Sequence, residues 1–340
     1  MSQTENRTAI RTITLEEHYA TPAFMDGPGR QITAQAQAAH AHPQVAAGYA
    51  QLIEQLCDLD DRRIADMDAA GIDVQVLSLT SPGVEQLDAT EAVALARDSN
   101  DRVADAVRRH PSRLAGFAAL PTAAPAAAAD ELERMVRDHG FKGALINGHS
   151  QGRYLDDTFF WPILERAEAL QVPIYLHPTP PPQPVIAASY AGNYAPEVAG
   201  MLATAAWGWH IETATHALRL ILSGAFDRYP RLQLLIGHLG EGLPFMLPRL
   251  ELTLPTEVTK LNHPIGAYLR ENLHYTFSGF NYLPTFLDLL LQVGAERIMF
   301  SADYPYASMA RARAFLEQLP VSPADKARIA HGNAERLLHL

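Results

Sequence analysis

The chain has a single cysteine, Cys57, among its 340 residues. No internal disulfide can form, and no Cys-rich zinc module can be built. Positive charge is also scarce: Lys and Arg number 27 against 38 Asp and Glu, a net charge of −11. An acidic chain without a basic cluster is a poor partner for nucleic acid or an anionic membrane surface. Long hydrophobic runs are missing as well. No uninterrupted apolar stretch reaches the ~18 residues of a membrane span. The N-terminal MSQTENRTAIRT is polar and lacks the apolar core of a signal peptide. A cytoplasmic protein that binds neither nucleic acid nor membrane is the expectation. No repeat of about 20–50 residues recurs, which disfavours a solenoid.

What is present is a globular balance, 48% hydrophobic and 19% charged, with enough apolar side chain for a large core. Eight short β-rich runs alternate with helical patterns: 12–18, 74–80, 114–120, 143–149, 172–178, 232–240, 273–279 and 297–303. Most are nearly continuous apolar runs, as expected of parallel strands covered on both faces. Leu52, Leu56, Leu59, Ile64 and Met67 have helical spacing before Gly71; Leu132, Met135 and Val136 do the same before Gly140. Eight β-then-α units favour an α/β fold of the (β/α)8 TIM-barrel type, one domain over residues 1–340. The rival, an open doubly wound sheet, is weaker because no Gly-rich phosphate loop follows the first strand. Segments 21–50 and 178–209 break the rhythm. They read as long irregular loops after strands 1 and 5, at the strand ends where barrel enzymes keep their sites.

The polar residues at the strand ends carry the chemistry. Strand 1 ends Glu16-Glu17-His18, with Glu16 and His18 on one face and Glu17 on the other. Strand 5 ends in His177, strand 6 in His238 and strand 8 in Asp303. In a barrel these ends share one mouth. Glu16, His18, His177 and Asp303 would give two carboxylates and two imidazoles to one divalent cation, and this mixed set suits Zn²⁺ or Mn²⁺. Taken singly each has a plainer reading; Asp303 before Tyr304-Pro305, for instance, also fits a turn or a helix N-cap. His238 and Glu241, three residues apart at a strand-to-helix turn, form a pair able to move protons or orient a reacting group. The plainer reading of Glu241 is a carboxylate at a helix start.

The segments LEEH, YLHP, HALRLILSGAFDRYPRL, GHLGEGLP and FSADYP together resemble the amidohydrolase superfamily over nearly the whole chain. Within it they are most similar to the aminocarboxymuconate-semialdehyde decarboxylase-like branch. Glu16-Glu17-His18, GALINGHSQ and WGWHIETATHALRL resemble the nonoxidative decarboxylases of hydroxylated benzoates, such as the γ-resorcylate and 2,3-dihydroxybenzoate enzymes. The resemblance implies metal ligands at Glu16, His18, His177 and Asp303, and a proton-handling pair at His238 and Glu241. It also implies that Arg249 reaches a neighbouring subunit's pocket, and hence a homodimer or homotetramer. Asn147 and Trp207 are further candidate substrate contacts, and Tyr190 and Tyr194 candidate ring partners. Two positions depart from the pattern: Tyr304 stands where Trp is common, and 21–50 matches no subgroup. Strand 4 ends in Asn147-Gly148-His149 without a lysine, so a two-metal site bridged by a carboxylated lysine is not supported.

The implied activity is loss of CO2 from an ortho-hydroxylated benzoate, by ring protonation from Asp303 followed by C–C cleavage, giving a phenol reversibly. The alternative is a metal-dependent hydrolase of a lactone, ester or amide using the same residues.

Overall fold

The computed structural model describes residues 10–38 and 43–340. Eight parallel strands follow one another around the core: β1 (Ile13–Tyr19), β2 (Val74–Leu79), β3 (Leu114–Gly116 and Ala118–Ala119), β4 (Ala144–Asn147), β5 (Ile174–His177), β6 (Leu234–Ile236), β7 (Leu273–Thr276) and β8 (Ile298–Met299). Each pairs with its sequence neighbour, from β1·β2 to β7·β8. Every strand residue is buried, because helices cover the outside and side chains fill the inside. The fold is the expected (β/α)8 barrel, with all eight strand regions where the sequence places them.

Between β8 and β1 the ring is joined without a regular ladder. The His18 N–H donates to the Tyr304 carbonyl at 2.7 Å. The Glu16 N–H donates to Ser301 Oγ at 3.0 Å, and the Glu17 carboxylate accepts from the amides of Ala302 and Tyr304. Side-chain acceptors replace strand carbonyls along this seam.

A bulge in β1 decides what the seam can do. Thr14 pairs with Gln75 but Glu17 pairs with Leu77, so β1 carries one extra residue there. Ile13 and Leu15 join the apolar cluster inside the barrel, with Val76, Phe117, Tyr175 and Met299, whereas Tyr19 joins the cluster beneath the helices. The extra residue resets the alternation, so an apolar floor and a polar mouth come from the same strand.

The two segments read as irregular loops are largely helical. The described residues of 21–57 form helices Pro22–Asp26, Arg30–Ala38 and Pro43–Cys57, with 39–42 outside the described residues, and 183–203 form Gln183–Ser189 and Pro196–Ala203. Proline misleads here: at a helix's first turn it loses no hydrogen bond and its fixed φ suits the helix. Pro22, Pro184 and Pro196 all sit in first turns. Gly71 and Gly140 end their helices with φ of 69° and 70°, as their spacing predicts.

Candidate metal centre and active site

The C-terminal ends of β1, β5, β6 and β8 deliver their polar residues to one place. Ligand atoms of Glu16, His18 and His177 lie within 4.8 Å of one another. His177 Nε2 is 3.3 Å from Glu16 Oε1, and His18 Nε2 is 3.3 Å from Asp303 Oδ1. Glu16 Oε1 and both ring nitrogens of His18 are buried without a hydrogen-bond partner. An orphaned carboxylate oxygen beside an orphaned imidazole nitrogen is costly unless something else binds both. The set fits one divalent cation, Zn²⁺ or Mn²⁺, held by Glu16, His18, His177 and Asp303.

The other oxygen of Glu16 is fixed. Tyr175 from the middle of β5 and Ser278 after β7 both donate their hydroxyls to Glu16 Oε2. Gly237 leaves room for this: a Cβ there would lie 2.6 Å from Glu16 Oε2. Several site residues occupy left-handed backbone, including His238 (φ 51°), Glu241 (φ 56°), Ser278 (φ 46°) and Asp303 (φ 64°). Such conformations cost about 1 kcal/mol or more each and persist where surrounding contacts enforce them.

Electrostatics divides the groups. Burial would raise Glu16, but His238 and His177 hold its carboxyl well below the usual range. Burial and the neighbouring His177 push His18 down to about 3, so its ring is neutral, as a ligand must be. Desolvation, and then the Glu16 carboxylate, push Asp303 well above the ordinary carboxyl range. Burial opposes charge on His238, yet Glu241 and Glu16 outweigh it and push the imidazole up to about 10. Without a metal, the surroundings favour the protonated form of Asp303 and the cationic form of His238; a divalent cation bound by Asp303 would oppose the first shift.

His238 does not act alone. Its Nδ1–H donates to Glu241 Oε1 at 2.7 Å, and His210 Nδ1–H donates to Glu241 Oε2 at 2.6 Å. The Trp209 indole N–H donates to His210 Nε2 at 3.0 Å, which fixes that tautomer. The sequence reading missed His210, although it stands in WGWHIE two residues after a helix start. It also missed Tyr175 and Ser278, because no local pattern says that a mid-strand tyrosine reaches across the barrel.

A cavity of about 850 Å³ opens above His18, His177, His238 and Asp303. Ile32, Leu52, Met201 and Trp209 supply apolar walls, and Tyr306 lies edge-on to His18 with ring centroids 5.5 Å apart. Both helical excursions contribute to these walls. Among the described residues, neither Lys nor Arg lines it.

Three expected substrate contacts lie elsewhere within one chain. Trp207 is 54% exposed and is not part of the cavity lining, where Trp209 stands instead. The Asn147 backbone N–H donates to Glu85 at 2.8 Å, its side chain lies beside the Leu79 carbonyl, and it does not line the cavity. Arg249 is exposed on the helix Leu243–Thr253. Tyr190 and Tyr194 bond to each other through the Tyr194 hydroxyl and the Tyr190 carbonyl, away from the lining.

A parallel barrel with carboxylates and imidazoles gathered at its C-terminal mouth defines a metal-dependent barrel enzyme. The chain belongs to the amidohydrolase family, whose profile matches residues 38–340. It is 39% identical to the γ-resorcylate decarboxylase of Polaromonas sp. JS666, over 96% of this chain and 98% of that protein. A crystal structure of a dihydroxybenzoic acid decarboxylase from the same strain, with bound manganese and the inhibitor 2-nitroresorcinol, is 39% identical. It superposes with a TM-score of 0.87 over 98% of each chain. A 5-carboxyvanillate decarboxylase from Novosphingobium aromaticivorans, solved with manganese and 4-hydroxy-3-methoxy-5-nitrobenzoic acid, is 36% identical, with a TM-score of 0.89 over the full length of both chains.

Proposed function

We propose that this protein is a metal-dependent, nonoxidative decarboxylase of ortho-hydroxylated benzoates. The observation that carries the reading is Asp303, 3.3 Å from His18, beside the Glu16, His18 and His177 cluster at the floor of one aromatic-sized cavity. The cation, when bound by these four residues, supplies Lewis acidity and a template for the substrate's carboxylate and adjacent phenolic oxygen. Asp303 gives its proton to the carboxyl-bearing ring carbon. The bond to the carboxylate then breaks, CO2 leaves, and the bond's electrons restore the aromatic ring as a phenol. Protonation first avoids an aryl carbanion. His238, a stable imidazolium held by Glu241, offers a hydrogen bond to a substrate oxygen and a proton to refill the site. Ile32, Leu52, Met201 and Trp209 exclude water and face the ring.

The full chain, loaded with Mn²⁺ or Zn²⁺, is expected to release CO2 from a 2-hydroxybenzoate panel with one phenol formed per CO2. A folded, metal-loaded protein that releases none, yet hydrolyses lactones or esters, would replace this reading with the hydrolase one.

The working unit in this reading is a homodimer or homotetramer, with Arg249 completing a neighbour's pocket. Two features support it. Among the described residues, the cavity lining of one chain has no Arg or Lys. Phe245 (75% exposed) and Met246 (44%) lie with Arg249 on one helix and need cover. Arg249→Ala is expected to raise KM more than tenfold while light scattering still reports an oligomer. A fully active monomer contradicts the assignment.

A further inference from the structure

Glu17 sits between two of the proposed metal ligands but faces away from them. The β1 bulge turns Glu16 and His18 into the barrel and sends Glu17 to the seam between β1 and the segment after β8. There Glu17 is fully buried. Its Oε1 accepts from the Ala302 N–H at 2.9 Å, and its Oε2 from the Tyr304 N–H at 3.2 Å. These are the two amides that flank Asp303, whose own backbone is left-handed at φ 64°.

We infer that Glu17 is a positioning residue for the metal centre: its carboxylate clamps the amides on either side of Asp303 and so aims the Asp303 carboxylate at Glu16, His18 and His177. No strand ladder does this work, since the seam lacks one. The clamp is braced from outside the barrel. Gln75 Nε2 lies 3.4 Å from Glu17 Oε2. The buried Arg63 donates to Gln75 Oε1 at 3.1 Å and to the His18 carbonyl at 2.7 Å, and its guanidinium stacks on the Tyr304 ring. One connected set of side chains therefore fixes the backbone of His18 and of Asp303 together. A carboxyl group presents one oxygen to each amide, whereas an amide side chain would turn its NH2 toward one of them.

The inference rests on Asp303 being a metal ligand, and a double-mutant cycle separates the two claims. Mn²⁺ affinity of the full chain is measured by calorimetry after chelation, and the Co²⁺-substituted protein is read by visible absorption. Glu17→Gln turns a donor toward one amide. It is expected to weaken Mn²⁺ at least tenfold and to give the Co²⁺ spectrum of Asp303→Asn, and the double variant should bind no more weakly than Asp303→Asn alone. Unchanged Mn²⁺ affinity in Glu17→Gln, or losses that add fully, overturns the clamp. Unchanged affinity in Asp303→Asn overturns the ligand assignment and the clamp with it. If Glu17→Gln does not fold, Glu17→Asp keeps both acceptors one methylene shorter; a smaller affinity loss with a shifted Co²⁺ spectrum supports the clamp, and wild-type values for both overturn it.

Discussion

Residue by residue, the proposed ligand set was legible because each member ends an apolar strand, where a charged or imidazole side chain needs a reason. Glu16, His18 and His177 bring ligand atoms within 4.8 Å of one another, and Asp303 lies 3.3 Å from His18. What supports them was not legible. Gly237 gives no signal in the sequence, yet it makes space for the Tyr175 and Ser278 hydroxyls on Glu16. Its φ of −80° suits any residue, so Gly237→Ala carries no backbone strain and acts through the clash alone. The new methyl must displace Glu16 Oε2. Metal affinity is expected to fall tenfold or more, with little change in the melting temperature of the metal-free protein. Wild-type affinity by calorimetry would show that the Glu16 carboxylate can retreat without losing its aim.

At the scale of elements, strand periodicity gave the barrel and missed the bulge, since both depend on the same alternating pattern and the bulge is a single extra residue in it. Segments 21–50 and 178–209, which break the strand–helix rhythm, read as irregular loops. Alanine has the highest helix propensity and proline is at home in a first turn, so both segments are helical where they wall the cavity. Gly200, in the helix Pro196–Ala203, lines the cavity with nothing within 4 Å of a Cβ built there. Gly200→Leu should therefore add about 0.5–1 kcal/mol of stability from helix propensity. It should also narrow the mouth, raising KM severalfold for bulky ring-substituted benzoates and sparing 2,6-dihydroxybenzoate. Urea denaturation and a KM series across ring sizes test the two halves. Equal KM changes for small and bulky rings would mean that this helix is not the wall that selects by size.

Part of the molecule's pH dependence comes from buried groups away from the metal centre. Burial pushes Glu85 up from 4.5 to about 7, with the amides of Asn147, Glu85 and Val84 opposing the shift. Burial pushes His216 and His274 down from 6.5 to about 3. The two kinds of group act in opposite directions. The raised carboxyl stabilises the fold fully below pH 4.5 and loses that contribution as pH rises through 7. The depressed imidazoles stabilise it above pH 6.5 and lose that contribution as pH falls through 3. Of these groups, the two imidazoles make stability climb with pH up to 6.5, and Glu85 makes it decline between pH 4.5 and 7; Glu17, which burial pushes up to about 8, adds a decline of the same sign. Glu85→Gln keeps an acceptor for the Asn147 amide and removes the alkaline slope. Its advantage over wild type should grow from near zero at pH 4.5 to about 3 kcal/mol at pH 8, at about 1.4 kcal/mol per pH unit. His216→Gln, which can still accept from the Leu155 amide, should instead be the less acid-sensitive of the two. Urea curves at pH 5, 6.5 and 8 decide the matter. If wild type and Glu85→Gln run parallel across that range, Glu85 does not hold its proton in the folded chain.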